Sequence, residues 1–551
     1  MADHSSPSTC SVDIETDSLN PTKIHCAVVV DLQTGKHRHF ASGAGKHAEQ
    51  HILSYSRVVA HNGCSFDFPA LKNLWNIEVP FERQWDTLIL SRLSVPDREG
   101  GHSLESWGNR LKFPKMEYTG SWDSYSPEML EYCVNDAVLC GKVFQYLRNE
   151  MSHFDVASVR DEHRMQILAN KVQQRGFAFD VANAITLYTN LKQEETRIVE
   201  EMQSIFPPTE VKLKTKTKYI PFNPASRQQI ANRLIELGWT PSVFTETGLP
   251  KVDENTLENA GNIKEAKILA RYFMLLKRTG MLNSWIKACR YDNRVRATYH
   301  TLGAVTNRMS CSDPNLQQIP SVRKPYGKEC RSLWKSKNTY KLIDTDAKGL
   351  ELRVLANYMG DEQFTKELLE GDVHTANQRM AGLETRDQAK TFIYALLYGA
   401  GDAKIGKIVG GSEVDGARLR DRFLSNLPAY DRFQTSVVNK ARKTGVLKAI
   451  DGRVLRVRSP HAAVNTLIQG SSAVLMKKWF LYVDYLLEQH GVDAGIVAMV
   501  HDELVLESHQ DAVDTTTACV KLALENVVSK FDLTCPLDCD IKVGNNWSEI
   551  H

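Results

Sequence analysis

The sequence lacks the features of a membrane or secreted protein. It has no apolar run of membrane-spanning length and no signal peptide, and residues 1–9 contain no arginine and are too few for an organelle transit sequence. Its 11 cysteines, an odd number, include no C-x-x-C pair, which favours reduced thiols. Cys535 and Cys539 have no partner pair that would complete a zinc site. We therefore expect a cytoplasmic protein that stays in the compartment where it is made.

An excess of charge of one sign, internal repeats and low-complexity tracts are also missing. The chain carries 68 basic and 66 acidic residues, so its global charge says little about nucleic acid, and local clusters must be considered instead. At 551 residues it is long enough for at least two domains with sizeable cores.

An acidic stretch in the second half of the chain points to a metal site. Asp344 to Arg353 reads D-T-D-A-K-G-L-E-L-R and follows the apolar Leu342 and Ile343, which predicts a strand that carries a metal-binding carboxylate. A desolvated aspartate is costly unless something binds its charge, and Mg²⁺ is the usual partner.

A second acidic stretch lies far downstream. The apolar runs Ile496 to Val500 and Leu504 to Leu506 flank His501, Asp502 and Glu503, so a tight hairpin would place these residues at its tip. Two acid-tipped strands suit two-metal phosphoryl transfer, in which paired ions activate the attacking oxygen and stabilise the leaving one. Each motif alone is also typical of a turn or a helix cap, and the sequence does not show that the two stretches meet.

A third stretch, R-D-Q-A-K-T-F-I-Y-A-L-L-Y-G, predicts a helix. A spacing of four places Arg386, Lys390 and Tyr394 along one face of it. Two cations and an aromatic ring in register suit a nucleoside triphosphate, which needs positive charges for its phosphates and a flat apolar surface near its base. The alternative is a solvated basic helix face beside an aromatic core residue.

These stretches resemble the family A DNA polymerases, and most closely the replicative enzymes of short-tailed bacteriophages. The matching blocks are the R-x3-K-x3-Y-x2-Y-G helix, D-A-K-G-L-E-L-R at Asp346 to Arg353, Y-G-A-G-D at Tyr398 to Asp402, and V-H-D-E at Val500 to Glu503. The resemblance covers nearly the whole chain and implies a right-hand polymerase fold of palm, fingers and thumb.

The resemblance also implies which acids serve the reaction. Asp346 and Asp502 would be the metal ligands, and Glu503 the adjacent, less critical acid. Asp344 shares a strand face with Asp346 by period-two alternation, but the family's spacing selects Asp346 together with Glu351. Glu351 would resemble the residue that blocks a ribose 2′-hydroxyl, and whether Asp344 assists Asp346 stays open.

Further contacts are implied for the nucleotide and for DNA. Arg386 and Lys390 would contact the triphosphate together with His374, and Tyr394, where many relatives carry Phe, would ease acceptance of dideoxynucleotides. The DNA contacts implied by the matching positions are Arg308, Gln469 and His501.

The first 155 residues contain a second set of acids. Ser11 to Thr16 reads S-V-D-I-E-T, which places Asp13 and Glu15 on one strand face and Val12 and Ile14 on the other. Two adjacent acids invite a metal, although an isolated D-x-E is also typical of a solvated edge. The ordered set resembles the DnaQ-like 3′–5′ exonucleases, whose ribonuclease-H-like fold uses four carboxylates for two metals and a tyrosine that orients water; its members here are Asp13, Glu15, Asp67, Tyr132 and Asp136.

The region between the two sets of motifs predicts helices. One helical pattern ends at Arg175 and another begins after Asp180, its predicted cap, which suggests a long antiparallel pair like the family's thumb. Four alternating lysines either follow a phosphate backbone or protect an edge strand; they are Lys212, Lys214, Lys216 and Lys218. The interval from Asp136 to Arg308 looks too short for both a thumb and the insertion with which the best-known phage relatives capture thioredoxin. No thioredoxin requirement is expected.

The sequence thus predicts an α/β multidomain enzyme, with a ribonuclease-H-like exonuclease domain at 1–155 and a right-hand polymerase domain at 156–551. Within the latter, the thumb is placed at about 156–300, the palm at about 301–360 and 450–551, and the fingers at about 361–449. The predicted function is DNA-dependent DNA synthesis with 3′–5′ proofreading, for replication of a phage genome in the host cytoplasm. Two Mg²⁺ ions are expected at each site, with Mn²⁺ as a substitute.

The predicted partners are primer-template DNA, deoxynucleoside triphosphates, and the helicase, primase and single-strand-binding protein of a phage. Three alternatives remain at this stage. The chain could be an exonuclease whose second half only grips DNA, a non-catalytic DNA-binding scaffold, or a repair polymerase.

Overall fold

The computed structural model describes residues 8–212 and 217–551, which divide into two compact units. Unit 1 contains the chain up to Gln174 together with Thr298–Ser312 and Thr345–Ile541; unit 2 contains Arg175–Ala297, Asp313–Asp344 and Lys542–His551. No helix in the described ranges is both long and apolar enough to cross a lipid bilayer. Two members of the predicted lysine row, Lys214 and Lys216, lie outside the described residues.

The chain begins with alternating strands and helices. In order they are β1 Thr9–Thr16, β2 Ile24–Asp31, β3 His37–Ala41, α1 Gly45–Ile52, β4 Arg57–Ala60, α2 Asp67–Trp75, β5 Gln84–Asp86, α3 Thr87–Ser94, α4 Leu104–Leu111, α5 Pro127–Glu150 and α6 Val156–Arg175. The strands form one mixed sheet in the order β3-β2-β1-β4-β5, in which β1 is antiparallel to β2 and parallel to β4.

The alternation predicted for β1 is present in this sheet. Val12 and Ile14 belong to the main hydrophobic core, whereas Asp13 and Glu15 point to the opposite face, where Asp13 pairs with Val28 of β2. Helix α5 packs against that second face.

Helix α5 approaches β1 closely enough to require a small residue. The Ser11 hydroxyl donates to the Ala137 carbonyl over 2.7 Å, and a Cβ on Gly141 would lie 2.5 Å from the Leu32 side chain. This close packing brings the residues of α5 beside the acids of β1.

Residues 177–297 form most of unit 2. Their elements are β6 Phe177–Ala178, α7 Val181–Ile205, β7 Thr209–Lys212, β8 Thr217–Ile220, α8 Arg227–Glu236, α9 Glu254–Glu258, α10 Lys264–Ala288 and β9 Arg294–Val295. Asp180 caps α7 as predicted, by accepting from the Asn183 backbone N–H over 3.2 Å.

The helix that packs along α7 is α10, in the place where the sequence predicted α6. That pairing was therefore wrong, and the reason lies in α6 itself. Its acid Glu162 is fully buried and accepts from Lys477 over 2.8 Å and from Arg453, so this helix is held within unit 1 by charged contacts.

The remaining elements complete both units. They are β10 Thr298–His300, β11 Ser310–Ser312, α11 Gly327–Ser332, β12 Tyr340–Ala347, α12 Leu350–Met359, α13 Glu362–Glu370, α14 Val373–Ala381, α15 Arg386–Leu397, α16 Asp402–Gly406, α17 Glu413–Asn426, α18 Pro428–Thr444, β13 Val446–Lys448, β14 Val454–Arg456, α19 Ala463–Gln489, β15 Ala494–Val500, β16 Glu503–His509, α20 Val513–Lys530 and β17 Cys539–Gly544.

Unit 2 is centred on a cluster of buried rings. Trp334 lies 4.8 Å from Phe179 and 5.5 Å from Trp285 between ring centroids, and Trp547 lies 5.4 Å from Phe177. The chain's end therefore contributes to the core of this unit.

A second sheet has the strand order β15-β16-β12-β17. Strands β15 and β16 form the predicted antiparallel hairpin, in which Val500 pairs with Glu503. The C-terminal end of β12 lies beside this hairpin, because the Thr345 hydroxyl donates to the Leu504 carbonyl over 2.9 Å. Helix α19 packs against both α12 and α20. Helices α13 to α18 form the helical region that the sequence predicted at about 361–449.

Candidate active sites

The first candidate site lies where α5 faces β1. One oxygen each of Asp13 and Glu15 and the Sγ of Cys133 lie within 4.8 Å of one another. The Cys133 thiol also donates to the Asp13 carbonyl over 3.4 Å. Cys133 was not among the predicted site residues, and its position directly after Tyr132 in Y-C-V-N-D is the sequence signal that points to it.

Electrostatic coupling shows that the other predicted acids join this cluster. Burial and then Asp136 raise the pKa of Asp13 to about 7, and burial and then Asp13 raise the pKa of Glu15 to about 10. Asp67, the first residue of α2, also has a raised pKa because of burial and then of Asp13. The structure therefore brings all four acids together.

A cation that was not among the predicted site residues, Lys115, lies beside these acids. The Lys115 ammonium forms an ion pair with Oδ2 of Asp136 and lies 4.6 Å from the ring centroid of Tyr132. Burial alone would lower the pKa of Lys115, but Asp136 outweighs it and the pKa is raised. A lone lysine in the connection between α4 and α5 carries no local signal of this role.

The connection that leads to Asp67 is held by another buried carboxylate. Asp86 accepts from the backbone N–H groups of Asn62 and Cys64, both over 3.0 Å, and also caps α3. The Asp86 N–H in turn donates to Nε2 of His163 on α6 over 2.9 Å. Asn62 has a φ of 64°, a left-handed conformation that asparagine tolerates.

The second candidate site lies at the tip of the β15–β16 hairpin. The Ala347 N–H donates to the Asp502 carbonyl over 3.0 Å, which brings the end of β12 to the tip. Asp346 is exposed and Asp502 is half-buried, whereas Asp344 and Glu503 are buried. The two predicted metal ligands are thus the accessible acids.

Tyr394 connects this tip with the predicted nucleotide helix. Burial raises the pKa of Tyr394 to about 12, and the next causes are the charges of Glu351, Asp502 and Asp346. The charges of three carboxylates that the sequence predicted for this site thus act on the Tyr394 hydroxyl.

The cationic face predicted on α15 is present beside that ring. Thr385 and Gln388 form a capping box at the start of α15, and Nε of Arg386 lies 2.7 Å from Oδ2 of Asp372. Burial, then Arg386 and Lys390, lower the pKa of His374, whose ring centroid lies 6.5 Å from that of Tyr394.

Glu351 makes two direct contacts at this site. Its Oε1 accepts from Arg308 over 2.6 Å and its Oε2 from the Tyr398 hydroxyl over 2.9 Å. Two residues with separate predicted roles, one toward DNA and one toward the nucleotide, are therefore paired. Burial, then Arg308, lower the pKa of His501, which has a φ of 53°.

Gln469 is the most loosely connected of the predicted DNA contacts. It lies half-buried on α19, where the neighbouring Gly470 meets Leu455 of β14. The structure places it on the predicted helix without joining it to the carboxylates through any contact among the described residues.

Both clusters are chemically suited to hard divalent cations. Each offers several carboxylate oxygens, and Oδ1 of Asp136 is buried with no hydrogen-bond partner among the described residues, as expected of an atom that receives a ligand. Burial, and then the neighbouring acids, raise the pKa values of Asp13 and Glu15, and a bound cation would offset both effects.

The chain belongs to family A of the DNA polymerases. The profile described as DNA polymerase family A matches residues 189–549, and the RNase_H superfamily profile matches residues 10–100. The chain is thus a family A DNA polymerase with a ribonuclease-H-like, exonuclease-type domain, as predicted. Families of both kinds use divalent metal ions.

Its relatives include phage enzymes that it matches over nearly their full length. The DNA-directed DNA polymerase of Enterobacteria phage T3 is 30% identical over 98% of this chain and 99% of the relative, and that of Escherichia phage T7 is 29% identical over the same shares. The POL domain of Pol1 from M. smegmatis, solved with DNA primer-template and dNTP, covers 99% of this chain and 96% of its own, with a TM-score of 0.82 and 19% identity. That likeness shows the fold.

Proposed function

We propose that this polymerase copies primer-template DNA at the hairpin tip and removes mispaired 3′ ends at the β1–α5 cluster. The observation that carries the first half is Tyr394, whose pKa is raised by the charges of Glu351, Asp502 and Asp346 after burial. The same helix also carries Arg386 and Lys390. The alternative, a solvated basic helix face beside an aromatic core residue, does not explain why three carboxylates act on Tyr394.

At the polymerase site, Asp346 and Asp502 would hold two Mg²⁺ ions, with Glu503 beside them. Such ions stabilise the charge that develops when a 3′ hydroxyl attacks a triphosphate. The chain's own cations would bind the triphosphate through charge-assisted hydrogen bonds; they are Arg386, Lys390 and His374.

The sugar and base would be selected by neighbouring residues. The Tyr394 ring would offer a flat surface to the incoming nucleotide, and Glu351 would oppose a ribose 2′-hydroxyl. DNA would be held by Arg308, His501 and Gln469, of which the first contacts Glu351.

At the exonuclease site, Asp13, Glu15, Asp67 and Asp136 would hold two Mg²⁺ ions, with Mn²⁺ as a substitute. Here such ions supply the same charge stabilisation, with water as the nucleophile. The Tyr132 hydroxyl would orient that water.

Replication of a phage genome in the host cytoplasm is the setting that the similarity to phage enzymes favours. We assign the exonuclease domain to residues 1–155 and the polymerase domain to 156–551. A phage helicase, primase and single-strand-binding protein would be the partners.

The decisive experiment extends a labelled primer on a longer template with Mg²⁺, with and without the four deoxynucleotides. Wild type should extend the primer with nucleotides and shorten it without them. Asp502→Ala should lose only extension and Asp13→Ala only shortening. Asp511→Ala, at an exposed acid just beyond β16, is the matched control and should keep both. Shortening without any extension would mean that the second half only binds DNA.

A further inference from the structure

Lys115 is the one residue of the exonuclease cluster that is neither an acid, an aromatic nor a thiol. Its side chain is 24% exposed, whereas that of its partner Asp136 is 5% exposed. Its charge also acts beyond this pair, since it lowers the pKa of Asp13 and Glu15 against the larger, opposing effect of their burial. Lys115 therefore interacts with three of the four carboxylates.

The fold holds the backbone of Lys115 at this position. The side chain of Asn135, the neighbour of Asp136 on α5, accepts from the Met116 N–H over 3.1 Å and donates to the Pro114 carbonyl over 3.4 Å. The hydrogen bonds thus clamp the chain on both sides of Lys115 to the helix that carries its partner.

A glycine on α4 secures the same segment from the other side. The Phe113 N–H donates to the Gly108 carbonyl over 2.9 Å, and a Cβ on Gly108 would lie 2.8 Å from the Phe113 carbonyl and 2.9 Å from the Lys115 nitrogen. Because any larger residue at position 108 would displace the segment, packing fixes the backbone from which the Lys115 side chain reaches Asp136.

Charge counting shows what this placement can do. Four ionised carboxylates are balanced by two divalent ions, so the ammonium of Lys115 is one positive charge in excess of the metal-loaded site. A phosphodiester brings one negative charge. The ammonium that pairs with Asp136 would therefore be available to pair with the substrate once a metal has taken that carboxylate.

We propose that Lys115 is the built-in counter-ion of the exonuclease site, which holds Asp136 until a divalent metal displaces it and then pairs with the phosphodiester. This proposal rests on the proposed exonuclease function and deepens it. In this proposal Lys115 competes with the metal and binds the substrate. Replacing Lys115 should therefore raise the metal affinity and lower the rate of hydrolysis.

The first test measures metal binding without any reaction. Mn²⁺ is titrated at pH 8 and followed by electron paramagnetic resonance, in an Asp346→Asn, Asp502→Asn background that removes the polymerase ligands. Lys115→Met should bind Mn²⁺ about tenfold more tightly, since a competing charge is gone. Lys115→Arg should stay close to the background protein. If Lys115→Met does not fold, Lys115→Gln provides the same comparison.

A matched control is available on α5. Lys142 is exposed and lies 5.1 Å from the ring centroid of Phe113, so Lys142→Met removes a lysine that also contacts a ring but does not touch the acids. Its Mn²⁺ affinity should not change. An unchanged affinity in Lys115→Met as well would overturn the proposal.

The second test measures hydrolysis of a single-stranded oligonucleotide at saturating Mg²⁺. Lys115→Met should lose tenfold or more in kcat/KM in spite of its tighter metal binding, and Lys115→Arg should recover most of that loss. A structural role alone would not raise metal affinity while lowering the rate. If wild type cuts the oligonucleotide and Lys115→Met matches it in affinity and rate, only the Lys115 proposal fails. If wild type does not cut, the exonuclease proposal fails, and the Mn²⁺ affinities alone decide the counter-ion role.

Discussion

The guanidinium of Arg308 lies 2.6 Å from Oε1 of Glu351, although a segment that belongs to unit 2, Asp313–Asp344, separates the two residues in the sequence. The other oxygen of Glu351 accepts from Tyr398 over 2.9 Å, so this carboxylate is fixed from two sides. A fixed carboxylate beside a nucleotide site can oppose a ribose 2′-hydroxyl more strictly than a mobile one.

Replacement of Glu351 should therefore weaken sugar selection. In Glu351→Ala, the ratio of kcat/KM for a deoxynucleotide to that for the matching ribonucleotide should fall by at least about tenfold, the equivalent of one charge-assisted hydrogen bond. Single-nucleotide extension with dGTP and GTP measures this ratio. Tyr398→Phe, which removes only one of the two contacts, should have a smaller effect, and an unchanged ratio in Glu351→Ala would contradict the assignment.

Lys390 should contribute mainly to binding of the triphosphate. Because a charge-assisted contact to phosphate is worth roughly 1.5–3 kcal/mol, Lys390→Ala should lose about 10- to 150-fold in kcat/KM for nucleotide. Pre-steady-state extension at varied dNTP concentration provides the measurement. Arg418→Ala removes an exposed cation from α17 and is the control, with little expected effect. Equal losses in both variants would show that only the general charge of the helices matters.

The first cluster of acids predicts a pH-dependent stability. Asp13 has a pKa of about 7 in the folded chain and about 3.9 when unfolded, so between these values the folded state binds more protons and its stability falls as the pH rises. In EDTA at pH 8, Asp13→Asn should therefore melt about 2 °C or more above wild type.

The pH supplies the control for this prediction. Near pH 4 most of the advantage of Asp13→Asn should disappear, since the wild-type carboxyl is then protonated in the folded state and already about half protonated in the unfolded state. Asp123→Asn, at an exposed acid, should melt like wild type at both pH values. A wild type that is as stable as Asp13→Asn at pH 8 would contradict the raised pKa.

The buried acid of α6 should be important for stability. Burial would raise the pKa of Glu162, but Lys477 and Arg453 outweigh it, so the pKa is lowered and the group is ionised. Glu162→Gln would leave the buried Lys477 without its counter-charge, whereas Arg453 would keep only Asp451, which lies 2.8 Å from its Nε. The expected cost is about 3–5 kcal/mol in the free energy of unfolding. Urea denaturation followed by circular dichroism measures the loss.

The neighbouring acid offers a close comparison for Glu162. Asp161, which lies beside Glu162 on α6, pairs with Lys478 of α19 over 2.7 Å, and the Asp161 side chain is 20% exposed. Asp161→Asn should cost about 1 kcal/mol or less, because water screens this pair. A similar loss in both variants would show that burial does not govern these contacts.

Thioredoxin should not bind this polymerase. Since the chain has 551 residues, at least 149 of the 700 positions aligned with the phage T3 enzyme fall opposite gaps in it, which is consistent with a missing insertion. Gel filtration of the protein with added thioredoxin should give two separate peaks, and primer extension should be equally long with and without it. A co-eluting complex would contradict the prediction.

The sequence by itself determined the features that depend on local backbone geometry. The alternation of β1 separates Asp13 and Glu15 from the core residues because successive side chains of a strand point to opposite faces. The spacing of four places Arg386 and Lys390 on one side of α15 because a helix has 3.6 residues per turn. The family blocks sufficed to predict the polymerase, and the profile and relatives confirmed it.

Only the tertiary structure decided which distant side chains meet. The pairs Lys115–Asp136 and Arg308–Glu351, and the partner of α7, depend on how separate elements pack. No periodicity specifies such contacts, because they result from the shape and volume of whole helices and strands in the core. Periodicity gave Asp13 and Glu15 their strand face, whereas packing and hydrogen bonds of the connection between α4 and α5 placed Lys115 beside the acids.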